Sequence, residues 1–152
     1  MSCIRKAGAE DLPAAVRLAS KLWMHETLED LGEELASYID SRDAAIFLAY
    51  HGDRKPCGFA QCSLRRDYVE GTDTSPVGYL EGIYVCRPCR GLGIARLLVE
   101  TCQQWAIWAG CPEFASDCEL TNEESRKFHL AVGFQEANRI ICFTTKLRSE
   151  NL

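Results

Sequence analysis

Arg90-Gly91-Leu92-Gly93-Ile94-Ala95 is the stretch on which the fold turns. Just before it, Ile83-Tyr84-Val85 is β-branched and aromatic, as a buried strand requires. Just after it, Ile94, Leu97, Leu98, Cys102, Trp105 and Ala109 recur at helical spacing until Gly110. The order is therefore strand, short Arg- and Gly-rich turn, long helix. The first turn of a helix carries unpaired N–H groups and about half a positive charge. Glycines let a phosphate approach such amides closely. Arg87, Arg90 and Arg96 add cationic charge. The turn reads as a pyrophosphate cradle. A P-loop sequence is absent, and a dinucleotide fingerprint would need glycine where Arg96 stands.

Working outward, the periodicity predicts a first strand over 3–6, and a helix from Leu12 with Pro13 in its first turn. A second amphipathic helix follows on Leu28, Leu31, Leu35, Tyr38 and Ile39. Strands are expected at 44–50 and 57–65, joined through a turn at His51-Gly52-Asp53. Residues 67–76 read as a loop, and 77–85 as the strand before the cradle. Beyond the long helix come a strand at 113–116 and a helix from a T-x-x-E capping box at Thr121 to about Val132. Strands at 134–137 and 140–147 close the chain. The expectation is one α/β domain over 1–152, a mixed, mostly antiparallel sheet flanked by helices.

The formal net charge of −5 argues against nucleic acid or an anionic membrane as partner and suits a cationic ligand. No apolar run has the length of a membrane span, and the start lacks the apolar core of a signal peptide. The nine cysteines therefore read as reduced, cytoplasmic and mostly core residues. Cys86-Arg87-Pro88-Cys89 is a C-x-x-C, but Cys111 and Cys118 do not supply the second pair of a zinc site. The expectation is no metal, with the neighbouring glycine motif accounting for this sequence.

Arg90-Gly91-Leu92-Gly93-Ile94-Ala95 resembles the R/Q-x-x-G-x-G/A signature of GCN5-related N-acetyltransferases. Asn122-x-x-Ser125-x-x-Phe128-His129-x-x-x-Gly133-Phe134 is similar to that family's next block. The resemblance implies acetyl-CoA as cosubstrate. Its pyrophosphate would lie on Gly91, Leu92, Gly93, Ile94, Ala95 and Arg96, and its pantetheine arm along Ile83, Tyr84 and Val85. Asn122 and His129 would contact it from the following helix. His129 stands where the family commonly has a tyrosine that protonates the leaving thiolate.

A narrower resemblance, to bacterial aminoglycoside 6'-N-acetyltransferases of type I, rests on three separate segments. These are Lys21-Leu22-Trp23, the run from Arg66-Asp67-Tyr68 through Ser75-Pro76 to Leu80-Glu81-Gly82-Ile83-Tyr84-Val85, and Ala115-Ser116-Asp117. It implies a polycationic acceptor held by carboxylates and an aromatic wall. Glu81 and Asp117 would bind the ammonium and accept its proton, with Trp23 and Tyr68 as the wall. Some relatives carry a carboxylate where this chain has Asn138, so Glu136 and Asn138 are both candidates for drug contact. The amine would attack the thioester directly in a ternary complex, with the Val85 N–H polarising the carbonyl. A polyamine or a protein N-terminus is the alternative acceptor on the same fold. Relatives are commonly homodimers, and the apolar 140–143 segment would serve such an edge.

Overall fold

The computed structural model describes residues 1–52 and 55–149. Five strands form one sheet in chain order: β1 (Ser2–Lys6), β2 (Ala44–His51), β3 (Pro56–Arg65), β4 (Val77–Val85) and β5 (Phe114–Ser116). The first four are antiparallel, and β5 lies parallel to β4. The turn expected at His51-Gly52-Asp53 runs into Asp53, which lies outside the described residues, as does the end of the chain after 149.

β2 is apolar on both faces because both are covered. Ile46 and Leu48 meet α1 (Leu12–Leu22) and α2 (Leu28–Asp40), packing with Ala15, Leu18, Leu31, Leu35 and Phe59. Ala45, Phe47 and Ala49 face the other way, toward Ile94, Leu98 and Cys102 of α3 (Ile94–Trp108). α2 starts where the Thr27 hydroxyl accepts the Asp30 N–H at 3.0 Å.

Two expectations need correction. α4 (Glu123–Ala131) is capped by Asn122, whose side-chain oxygen accepts the Ser125 N–H at 3.1 Å, rather than by the capping box at Thr121. The helix thus begins one residue later than the T-x-x-E pattern implies. The strands expected at 134–137 and 140–147 are not formed. Phe134 stacks on Phe114, but the chain beyond it runs along no neighbouring strand, and Ile140, Ile141, Phe143 and Leu147 are exposed. The stretch has the β-branched and aromatic composition of a strand, yet a strand needs a ladder partner for its main-chain groups.

Candidate functional site

β4 carries the site. Its pairing with β5 spans only Gly78↔Phe114 to Leu80↔Ser116, so from Glu81 to Val85 no strand covers that side. On the other side the β3 ladder passes from Gln61↔Gly82 to Cys62↔Leu80, which leaves Glu81 as a bulged residue. The bulge also swaps which main-chain groups face the gap. The Gly78 N–H donates toward β5, to the Glu113 carbonyl at 3.1 Å. Beyond the bulge, the Cys86 N–H donates back to the Cys57 carbonyl at 2.8 Å. By alternation, Ile83 and Val85 present their groups to the open side. The Val85 carbonyl takes the Arg90 side chain there at 2.8 Å. The result is a slot between parting strands, suited to an extended, amide-bearing chain.

The slot runs into the glycine turn. Gly91 and Gly93 both have φ +81°, a conformation that costs any other residue energy, and a Cβ on either would meet empty space. Gly93 is the N-cap of α3 and no side chain caps the helix, so its first amides lack a protein partner. These residues line a cavity of about 260 Å³ together with Val85, Cys89, Arg96, Phe128 and Val132. Arg90 and Arg96 are tied to main-chain carbonyls, Arg96 to that of Ala131 at 2.7 Å, and so frame the cradle. A larger cleft beside Lys6, Phe47, Trp105 and Trp108 contains none of the residues that carry the chemistry.

His129 stands where β4 and β5 part. Its Nδ1–H donates to the Ser125 carbonyl at 2.7 Å, and its Nε2 meets the Ser116 hydroxyl at 2.8 Å. Ser116 also reaches the Leu80 carbonyl at 3.2 Å. The ring is thereby fixed in orientation, with Nε2 toward the fork between the strands.

A polar cluster lies at the same end of β4. The Glu81 carboxylate accepts from Ser63 at 2.6 Å and from Arg65 at 2.7 and 3.0 Å. The Arg65 guanidinium stacks over the Tyr79 ring at 3.5 Å, and the Tyr79 hydroxyl donates to Asp117. Glu81 and Asp117 are thus joined through Arg65 and Tyr79. Glu34 and Tyr38 approach from α2. Burial raises the Glu34 carboxyl above its usual range, and nearby Glu26 and Glu81 raise it further. Tyr38 is raised by burial and then by Glu81, and Tyr79 by burial and its bond to Asp117. In each case a negative neighbour adds to the shift, so the locality favours a cation. The Gln61 Oε1 atom beneath the cluster is buried without a hydrogen-bond partner.

The other candidates divide. Trp23 packs edge-on against Phe59 and over Gly82, where a Cβ would fall 2.5 Å from the indole, so it is at once core and wall. Tyr68 is 75% exposed on the 67–76 loop. That loop is anchored by the Glu113 carboxylate, which accepts the Asp73 and Thr74 N–H groups, each at 2.9 Å. The Asn138 amide donates to Glu70 of the loop at 2.7 Å. Glu136 is instead paired with Arg126 and Arg139, which hold its carboxyl below the usual range. Asn122 is exposed and occupied in capping α4. Sequence reasoning missed Arg65, Tyr79, Glu34, Ser63 and Ser116. The available signal was a charged residue, Arg65, at the end of a strand that pairs with the strand bearing Glu81.

Residues 12–134 match the model of the acetyltransferase (GNAT) family. An aminoglycoside N(6')-acetyltransferase type 1 from Stenotrophomonas maltophilia is 40% identical over 144 residues, covering 95% of this chain and 93% of the relative. The solved structure of AAC(6')-Iy in complex with the bisubstrate analog CoA-S-monomethyl-acetylneamine superposes with a TM-score of 0.89 at 35% identity. It covers 97% of this chain and 99% of that one. The apo structure of the 6'-N-acetyltransferase AAC(6')-IG from Acinetobacter haemolyticus has a TM-score of 0.91 at 36% identity, covering 96% and 99%.

Proposed function

Because this chain belongs to the acetyltransferase (GNAT) family, we propose that it transfers the acetyl group of acetyl-CoA to the 6'-amine of aminoglycosides, as its relatives' names describe. The observation that carries this reading is the carboxylate and aromatic cluster around Glu81 and Asp117, set at the end of the open stretch of β4. A polycationic amine needs negative charge there, and a thioester needs main-chain donors beside it.

In this reading acetyl-CoA lies with its diphosphate on Gly91, Leu92, Gly93, Ile94, Ala95 and Arg96. Its arm extends along Ile83, Tyr84 and Val85. The Val85 N–H polarises the thioester carbonyl. The acceptor amine, with a pKa of about 10 in water, must lose a proton before it attacks. Glu81 already accepts from Ser63 and Arg65, so its part is to hold the ammonium. Asp117 is exposed, with Oδ2 on Tyr79, and its Oδ1 is the oxygen assigned to the proton. With its Nδ1–H held by the Ser125 carbonyl, His129 faces the departing thiolate with Nε2, and it serves as the acid only in its doubly protonated, imidazolium form. Trp23, Tyr68 and Asn138 line the sugar side, and Glu136, held by two arginines, stays outside it.

The protein acts in this reading as a single catalytic domain in the cytoplasm and as a homodimer whose partner covers the exposed 140–147 segment. Among the described residues no helix is long and apolar enough to cross a membrane. An assay of CoA thiol release with kanamycin, spermidine and a peptide N-terminus at equal concentration tests the substrate. Turnover should be fastest with kanamycin, by at least tenfold. Faster transfer to spermidine or peptide, or none to any 6'-amino drug, would remove the claim.

A further inference from the structure

Three thiols meet behind the cradle, and the acetyl-transfer reaction uses none of them. Cys57 is an extra residue in β3, where the ladder to β2 shifts from Ala49↔Gly58 to Tyr50↔Pro56. Its carbonyl accepts the Cys86 N–H at 2.8 Å, which seats Cys86 beside it at the end of β4. A 3₁₀ turn over Arg87–Cys89 then folds back, with the Cys89 N–H on the Cys86 carbonyl at 3.0 Å. Cys57 belongs to the core under α3, and Cys86 and Cys89 both pack against that core. The Cys86–Cys57 main-chain bond and the turn back to Cys89 bring the three residues together at the edge of that core. The C-x-x-C of the sequence is thus a trio.

The members differ in access. Cys57 is buried, whereas Cys89 is half-buried and lines the cavity with Gly91, Gly93 and Arg96. Burial, with the neighbouring Cys89 adding to it, pushes the Cys57 thiol up to about 12 and raises Cys86 as well, so both remain protonated thiols. Of Cys57 and Cys89, Cys89 is the one that opens onto the cavity, so it is the one a dissolved oxidant reaches.

We propose that Cys57, Cys86 and Cys89 form a thiol–disulfide site in which oxidation joins Cys89 to one of its two neighbours and loosens the grip on acetyl-CoA. The oxidant is a hydroperoxide. The Cys89 thiolate attacks the O–O bond, which breaks; sulfur becomes a sulfenic acid and, with hydrogen peroxide, the leaving oxygen departs as water after taking a proton. The neighbouring thiol then attacks that sulfur. An S–S bond forms, the S–O bond breaks, and hydroxide leaves with the thiol proton as water. A disulfide holds its sulfurs about 2 Å apart, much closer than two unbonded thiols can stand. Cys89 must therefore move toward the core, and it draws Arg90 and Gly91 with it.

The inference rests on the cofactor position given above, and one experiment separates the two. A protein carrying Cys3→Ser, Cys118→Ser and Cys142→Ser, which removes the exposed thiols, is titrated with acetyl-CoA before and after hydrogen peroxide. Acetyl-CoA is the probe because its acylated sulfur cannot reduce a disulfide. Peptide mapping should find an intramolecular disulfide on Cys89, with acetyl-CoA bound at least tenfold more weakly and affinity restored by dithiothreitol. The Cys57→Ser, Cys86→Ser double variant in the same background should form no disulfide on Cys89. Equal affinity in both states, a Cys89 that stays unpaired after peroxide, or a metal ion found on the three thiols would overturn the inference alone. Reduced protein that fails to bind acetyl-CoA would overturn the cofactor position as well.

Discussion

Glu34 sits on α2, far in sequence from Glu81, yet the two share one patch of negative charge. Burial and that neighbour raise the Glu34 carboxyl from its ordinary 4.5. It therefore stays partly neutral where a free carboxylate is already charged. As pH rises through its raised value, Glu34 ionises and strengthens the pull on an ammonium. The same shift makes folding slightly less favourable above that value, because the folded state binds the proton more tightly than the unfolded chain does. Calorimetric titration with kanamycin should show tighter binding as pH rises through the raised Glu34 carboxyl, above the ordinary carboxylate range. Glu34→Gln should lose a roughly two- to fivefold part of that gain, the scale of a solvent-screened ion pair. An unchanged profile in the variant would place Glu34 outside the acceptor site. Glu34 was not legible as a site residue because the sequence shows only a polar residue on the outer side of an amphipathic helix. Its charge matters only once the fold brings α2 within reach of Glu81.

At the scale of elements, the proposed function places cofactor binding at the join between β4 and α3. Both the strand and the helix were legible, and so was the turn, because local chain chemistry sets all three. Gly93 holds a left-handed conformation at the helix N-cap. In Gly93→Ala that geometry costs about 1–2 kcal/mol, and the turn relieves it by withdrawing its amides. Acetyl-CoA should bind about tenfold more weakly while the circular dichroism spectrum stays the same. Undiminished affinity would show that these amides do not hold the diphosphate. The bulge at Glu81 was not legible. It depends on how β3 and β4 are registered, and a single strand does not reveal its partner's register.

For the molecule as a whole, the open question is the exposed 140–147 segment. Phe143 is 87% exposed, and Ile140, Ile141 and Leu147 are exposed with it. Large apolar side chains on an extended segment favour association, and among the described residues β5 has no strand on its outer side. Light scattering after size exclusion should give twice the chain mass for the full protein, and a single chain mass once residues 140–152 are removed. A full-length monomer, or a truncated dimer, would rule out the segment as the interface.

The sequence by itself determined the elements from β1 to α4, the glycine turn at 91–96, and the pair of carboxylates, Glu81 and Asp117, around which the proposed acceptor site is built. Those features follow from periodicity, glycine placement and charge, which act over a few neighbouring residues. Only the tertiary structure decided that Arg65 and Tyr79 link Glu81 to Asp117, that Glu136 is taken by arginines, and that three cysteines meet behind the cradle. It also left the last two expected strands unformed. A strand pattern states a preference, but a strand exists only where another stretch of chain supplies the hydrogen bonds.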